Sequence, residues 1–537
     1  MYLTDTQPNW KMYSWFAAIC AVIYLVVQIV PVTADAFFGT SSQQVIKKSE
    51  AERAASAFTQ SQFNQVPDNT HAVHQSNSLL YGYLSKQQRL SDYEKRYGAK
   101  LPTDTYQVSA SLPDGSTLFV YVHMESGDVV AWNHYSEQNH IASPPDKAMD
   151  AAIAFAVSQG FAKESIQQGK KPLADGTIRL YISGQDFDEA KLQLSIRTEE
   201  TSSGQTVIAG YKPAFVVPAH YEAYVTEQSK FASMLSLIGS VLLSIVLFIL
   251  AIVYGVLYRR HTSFVRGLLL TGLFLAFYLV NNMNMTDGLI ASFGEEPDAA
   301  GYAVVAVAIT CIITVVMAAA VYFSLVAGDG LWRAMGRNLW PRMGEPGYGT
   351  HVWRSMWLGY LTAFILLGAQ TIILLVLEKA TGAWSTTDVT QSPYNFAAPW
   401  LLPLLAWCAA ISEEAVYRFF GIGILKRWLR NTFVASLIPS VIWALGHVTY
   451  PIFPATTRLL ELTIIGLAFS YVFLRYGLVT VIFAHAIFNS IMMAISLMFM
   501  GSAVNIFMGV IYIVLPIPIA AIIRYRHNRT PVREIKL

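Results

Sequence analysis

Three groups of residues in the second half of the chain have the types and spacing that hydrolytic chemistry needs. The first is Ser412-Glu413-Glu414-Ala415-Val416-Tyr417-Arg418, which interrupts an apolar run from about Phe396 to Leu425 with two carboxylates and a guanidinium. The second is His447, and the third is His485 with Asn489 four residues later. Each group lies in a stretch apolar enough to enter a bilayer, where an ionisable side chain is costly unless paired or hydrated. That cost makes all three functional candidates. A lone buried histidine is usually a structural hydrogen-bonding group, but two of them with an acid pair shift the balance to catalysis.

Residues i and i+4 share a helix face, whereas i and i+1 point about 100° apart. Glu414 and Arg418 therefore form an ion pair in the favourable order, acid first. Glu413 is left without a fixed partner, which suits a general base. Exchanged roles, with both acids reaching Arg418 through water, satisfy the same spacing. His485 and Asn489 also share a face and can present two donors to a developing oxyanion. With Glu413 and His447 holding a water opposite them, the set supports attack of water on a peptide carbonyl, and no serine or cysteine nucleophile is required. No cofactor is needed for this chemistry. The alternative is a zinc site with Glu413, His447 and His485 as ligands and a water in the open fourth position.

Depth constrains these groups. Glu413 and His447 each lie 17 residues from the basic turn at Arg430, on opposite arms of a helix hairpin. At about 1.5 Å per residue both sit roughly 25 Å from that turn and can face each other. His485 lies only about 10 Å along its own run from Leu478, so the levels match if the hairpin projects beyond the membrane.

The elements that must hold these residues are apolar runs. The 537 residues are 54% hydrophobic and 13% charged, a composition that points to a polytopic membrane protein. The first run, about 13–32, lacks a basic start and a clear cleavage site, and reads as an uncleaved span. Nine more follow at roughly 232–258, 264–281, 302–327, 354–378, 397–425, 433–450, 459–475, 478–500 and 503–524. The expected fold is an all-α polytopic membrane bundle of about ten spans, the last eight forming the core, with an inserted α+β extracytoplasmic domain. Ten spans put both termini on one side. If that side is cytoplasmic, Arg259, Arg260 and Arg266, then Arg333, Arg337 and Arg342, then Lys426, Arg427 and Arg430 lie inside with the tail's Arg524, Arg526, Arg529, Arg533 and Lys536. The acidic loop with Asp287, Glu295, Glu296 and Asp298 falls outside, as the positive-inside rule requires. Glu461 and Arg458 read as an interfacial ion pair at the outer end of a span, and Trp400, Tyr417 and Trp428 as packing or interface anchors.

The expected divisions are a first transmembrane helix (1–34), the extracytoplasmic domain (35–229), a returning helix (230–263), the core (264–524) and a basic cytoplasmic tail (525–537). The polar domain contains no cysteine, which excludes a disulfide framework. It carries an internal repeat: an Ala-rich segment from Ala51 to Gln62 recurs from Ala148 to Gln159, with Phe58 and Phe155 equivalent. Alternating segments follow each copy, at 106–110, 118–122 and 129–132, then at 177–182 and 191–196, and predict two small α+β modules. Around Val120 to Trp132 the domain is similar to PepSY modules.

The three chemistry-bearing groups, in this order on separate spans, with one span free of motifs between the second and third, resemble the CPBP family. These are the CAAX-processing and bacteriocin-processing (Abi) intramembrane endopeptidases. The resemblance rests on Glu413-Glu414-x-x-x-Arg418, the aromatic-x-x-x-His motif ending at His447, and His485-x-x-x-Asn489, and covers Pro399 to Met500. It implies that Glu413 and His447 activate the water and that His485 and Asn489 hold the oxyanion. Trp443 stands where that family's second motif has phenylalanine, a change expected to alter packing more than chemistry. The expected partners are the bilayer, a membrane-associated protein or peptide substrate, lipidated or not, and a ligand or regulator for the polar domain, with no nucleic acid. The competing reading is a non-catalytic membrane sensor or scaffold with an extracytoplasmic binding domain.

Overall fold

All ten apolar runs fall on helices or broken helices, but not all of those helices are long enough to span a bilayer. The computed structural model describes residues 7–31, 45–136, 143–169, 173, 175–201 and 204–529. Within these, six helices are long and apolar enough to cross a membrane: Trp10–Ile29, Ala219–Leu257, Ala299–Ala334, Tyr348–Thr381, Thr456–Tyr476 and Leu478–Phe499. Two bent pairs, Leu268–Asn284 with Thr286–Ser292 and Ala503–Val514 with Pro516–Arg529, raise the number to eight. Three of the six run to 39, 36 and 34 residues, and at about 1.5 Å per residue they project beyond a ~30 Å hydrocarbon layer.

The span count differs from ten at the two segments that carry the first two motifs. The run expected at 433–450 is the 14-residue helix Thr432–Leu445, capped by the Asn431 side chain on the Val434 N–H and interrupted by Pro439. The run at 397–425 begins as Leu404–Glu413, turns π-helical over Glu414–Ile422 and returns to α-helix over Gly423–Leu429. These pieces are enclosed by the longer helices, and Ala415, Phe419, Trp443, Phe469 and Ala484 are among the buried members of one bundle core. The protein is a multi-pass membrane protein with a helical C-terminal region and a sheet-rich N-terminal domain.

The repeat in the polar region builds one continuous sheet rather than two separate modules. Helix Lys48–Phe63 precedes strands β1 (Asn69–Ser76), β2 (Asp104–Ser111), β3 (Thr117–His123) and β4 (Val129–Tyr135). Helix Pro145–Ser158 precedes β5 (Ile166–Gln168), β6 (Thr177–Ile182), β7 (Lys191–Glu200) and β8 (Thr206–Val216). The sheet order is β1-β2-β3-β4-β8-β7-β6-β5. The two four-stranded meanders thus meet through their last strands, with Trp132 opposite Tyr211. Each repeat helix buries alanines four residues apart, Ala51 and Ala55 in one and Ala148, Ala152 and Ala156 in the other. Phe58 and Phe155 both pack against Trp132, so the two helices lie side by side on one face.

The opposite face of the sheet, and the edge beside it, dock on loops of the helical region. Glu295 accepts hydrogen bonds from Tyr121 (2.6 Å), Asn133 (2.6 Å) and Lys212 (3.1 Å). Asn395 pairs with the backbone of His74 in both directions. A two-stranded ribbon, β9 (Trp384–Ser385) with β10 (Ile452–Phe453), inserts Trp384 and Phe453 into the core beside Tyr83 and Tyr221. Arg533 and Lys536 of the expected basic tail lie outside the described residues, as does the expected domain boundary at 34–35.

Candidate active site

The π-helical turn controls what the first motif presents. Hydrogen bonding from i to i+5 widens the helix, and such segments concentrate at functional sites. Glu413 ends the α-helical part with its side chain 19% exposed, whereas Glu414 and Arg418 are fully buried. Arg418 Nη1 lies 3.2 Å from Glu414 Oε1, and the same oxygen contacts His485 Nδ1 at 2.8 Å. The guanidinium carbon lies over the rings of Trp443 and Phe469, 4.2 and 5.5 Å from their centroids. Glu414 and Arg418 therefore form the floor under the site, and Glu413 faces the cavity.

His447 follows the short helix Thr432–Leu445. Its Nδ1 is 2.9 Å from the Trp443 carbonyl oxygen; a carbonyl only accepts, so Nδ1 carries the proton and Nε2 is left as an acceptor. Nε2 lies 3.8 Å from Glu413 Oε1. His485 Nε2 lies 3.8 Å from the other oxygen, Glu413 Oε2. His485 is 2% exposed and stacks on Phe469 at 4.6 Å between ring centroids. The depth difference read from the sequence is thus closed in the fold. Asn489, one turn along from His485, lines the same cavity of about 520 Å³ together with Glu413, His447 and His485.

All six candidate residues are gathered at this cavity or directly beneath it. Among the described residues, no group of three His, Cys, Asp or Glu side chains is arranged to hold a metal ion.

Two expectations are corrected here. Trp443 does more than fill space: its Nε1–H donates to Glu413 Oε2, a bond that phenylalanine cannot make. The expected Glu461–Arg458 ion pair is present, but Glu461 is enclosed within the protein. It is fully buried, accepts from Arg458 Nη1 at 2.7 Å and from Gln370 Nε2 at 2.6 Å, and both of those donors line the cavity. Tyr417 also reaches the cavity, where its hydroxyl contacts that of Ser244 at 2.9 Å. Trp443 was visible in sequence only as a departure at one motif position. Gln370 sits in a distant apolar run and carries no local signal.

Apolar side chains, Phe248, Val321, Leu405 and Met492 among them, also line the cavity. It can therefore take an extended, largely apolar chain and place a carbonyl between a carboxylate–imidazole pair and a second imidazole.

Sporulation-killing factor biosynthesis protein SkfC of Bacillus subtilis (strain 168) is 24% identical to the chain over 148 residues, which are 27% of this chain and 29% of that protein. The match thus spans less than a third of that relative's length. No solved structure matches. Residues 395–491 match the family model described as Type II CAAX prenyl endopeptidase Rce1-like. The stretch that holds every candidate residue is therefore similar to the Rce1-like endopeptidases, the kind of family that its three motifs led one to expect.

Proposed function

We propose that this protein is an intramembrane endopeptidase that hydrolyses a peptide bond in a membrane-associated protein or peptide by means of a water activated by Glu413 and His447. The observation that carries this reading is the pair of 3.8 Å gaps separating Glu413 from His447 Nε2 and from His485 Nε2. Such a separation is too long for a direct hydrogen bond and suits a bridging water. A water between Glu413 and His447 gives up a proton to this pair as it attacks the carbonyl carbon. His485, held by Glu414 through Nδ1, turns Nε2 toward the cavity. With a proton on that nitrogen it donates to the oxyanion beside the Asn489 amide, while the Glu413 and Glu414 carboxylates balance the charge. Trp443 fixes the Glu413 carboxylate by its second oxygen. Collapse of the tetrahedral intermediate breaks the C–N bond, and the proton held by Glu413 and His447 passes to the leaving amine.

In this reading both termini are cytoplasmic and the sheet domain is extracytoplasmic, as the basic residues at 259–266, 333–342 and 426–430 favour. The core comprises about 264–524, and the sheet domain is a regulatory or ligand-binding addition. The test is cleavage of a quenched peptide library by the purified protein in detergent, with metal content measured on the same sample. The expected result is cleavage by the wild type, lost in His447→Ala and insensitive to chelators. Stoichiometric zinc that disappears in His447→Ala would instead make these residues ligands. A wild type that cleaves nothing would favour the sensor reading.

A further inference from the structure

The catalytic cavity contains a second cluster of polar side chains that the water-activation scheme leaves unused. Glu461 sits in the first turns of helix Thr456–Tyr476, fully buried, and both of its oxygens are engaged, one by Gln370 and one by Arg458 Nη1. That single bond occupies one nitrogen of the Arg458 guanidinium. Its Nε is buried and has no hydrogen-bond partner among the described residues. The side chain is 14% exposed and lines the cavity. Arg418, also with unsatisfied nitrogens, is fully enclosed against Trp443 and does not line it.

A buried ion pair that served stability alone would be a poor device, since apolar residues of similar volume do as well or better. A guanidinium with Nη1 alone held by a buried carboxylate, in a side chain that lines the cavity, keeps donors for a second carboxylate. The position of this fork is also informative. Arg458 lies over the Tyr450 ring at 5.3 Å, and that ring stacks on His447 at 5.5 Å. These two short steps put the guanidinium only a few residues' length of extended chain from the scissile bond.

We propose that Arg458, positioned by Glu461 and Gln370, is a specificity-determining residue that holds a carboxylate of the substrate in the catalytic cavity. This rests on the peptidase reading for its substrate but not for its test. The carboxylate comes either from the chain terminus or from an acidic side chain, and three probes distinguish the two. They are a fluorescein-labelled apolar hexapeptide ending in a free acid, the same peptide ending in an amide, and the amide with aspartate as its last residue. Binding to the full-length protein in detergent is read by anisotropy, and cleavage is followed in parallel.

The wild type is expected to bind the free acid about tenfold or more tightly than the plain amide, the order of one charge-assisted hydrogen bond. The aspartyl amide binds like the acid if a side chain is accepted and like the plain amide if only a terminus is. Arg458→Gln is expected to bring acid and amide within about twofold of each other, because the charged fork is lost. Arg458→Lys, a point charge without the fork, is expected to lose most of the preference; if the glutamine variant does not fold, this variant and the wild-type ratio decide. Equal binding of all three probes by the wild type, or a preference that persists in either variant, overturns the assignment. An acid preference that depends on Arg458 in a protein that cleaves no probe would leave the subsite standing and remove the peptidase reading.

Discussion

At the scale of single residues, the two adjacent glutamates have different surroundings and so different expected costs of substitution. Glu414 is fully buried between Arg418 and His485, and its removal leaves a buried guanidinium without its counter-charge. Glu414→Ala is therefore expected to destabilise the fold by about 3–5 kcal/mol, read as a large drop in melting temperature in detergent. Glu413→Ala, at the cavity wall, leaves only the Trp443 N–H without its acceptor and is expected to cost less, about 1–3 kcal/mol. Trp443→Phe keeps an aromatic ring beneath Arg418 but removes the N–H from Glu413. The loss of one hydrogen bond to a charged group, about 1.5–3 kcal/mol, is expected to lower kcat about tenfold or more with KM nearly unchanged. Steady-state kinetics on one cleavable peptide checks this. Much of this scale was legible in the chain: i,i+4 spacing pairs Glu414 with Arg418 and His485 with Asn489. The link from Glu414 to His485 was not, because 71 residues separate them and only the tertiary fold brings them to 2.8 Å.

At the scale of elements, hydropathy located the helices but not their breaks. The π-helical stretch Glu414–Ile422 leaves no mark on apolar periodicity, and the 14-residue Thr432–Leu445 merges with the apolar residues after it into a run of span length. What lets this short helix sit deep in the bundle is a close crossing at Gly466. A Cβ there would meet Ser440 Cβ at 2.9 Å and Trp443 Cε3 at 3.1 Å. Small residues at such crossings let helix backbones approach. Gly466→Ala is expected to cost about 1–3 kcal/mol through overpacking and, by displacing Trp443, to lower kcat as well. Gly272→Ala, where a Cβ would meet nothing within 4 Å, is the control and is expected to change stability by no more than about 0.5 kcal/mol. Thermal melting of both variants alongside kinetics separates the two effects.

At the scale of the whole molecule, the sheet domain is tied to the loop that carries His447. The chain runs from His447 through Tyr450 into β10, whose Phe453 is buried with Trp384 in the core of the sheet domain. The repeat and most of its strands could be read from alternation and turn residues, but β1, β5 and β8 and the joining of both halves into one sheet could not. Sheet order depends on long-range pairing such as Trp132 with Tyr211, which no local pattern encodes. The docking contacts were equally hidden, since Glu295 read only as an acidic loop residue. Burial alone would raise its carboxyl, but Lys212, with the Tyr121 and Asn133 donors, outweighs burial and holds it below its ordinary 4.5. A carboxyl lowered on folding contributes stability that is complete above its ordinary value and is lost as pH falls through the folded value. The melting-temperature difference between wild type and Glu295→Gln is therefore expected to be constant near neutrality and to shrink as pH falls from about 4.5 through the folded value. A difference that grew on acidification would refute this account of the docking.

The claim on which the rest depends is that Glu413 activates the attacking water. The most direct test is kcat for the wild type and Glu413→Gln on the same peptide, with melting temperatures measured on both. The account predicts a loss of about a thousandfold or more, from removal of the general base and its share of water positioning, with no change in melting. A folded Glu413→Gln protein within tenfold of the wild type would contradict it.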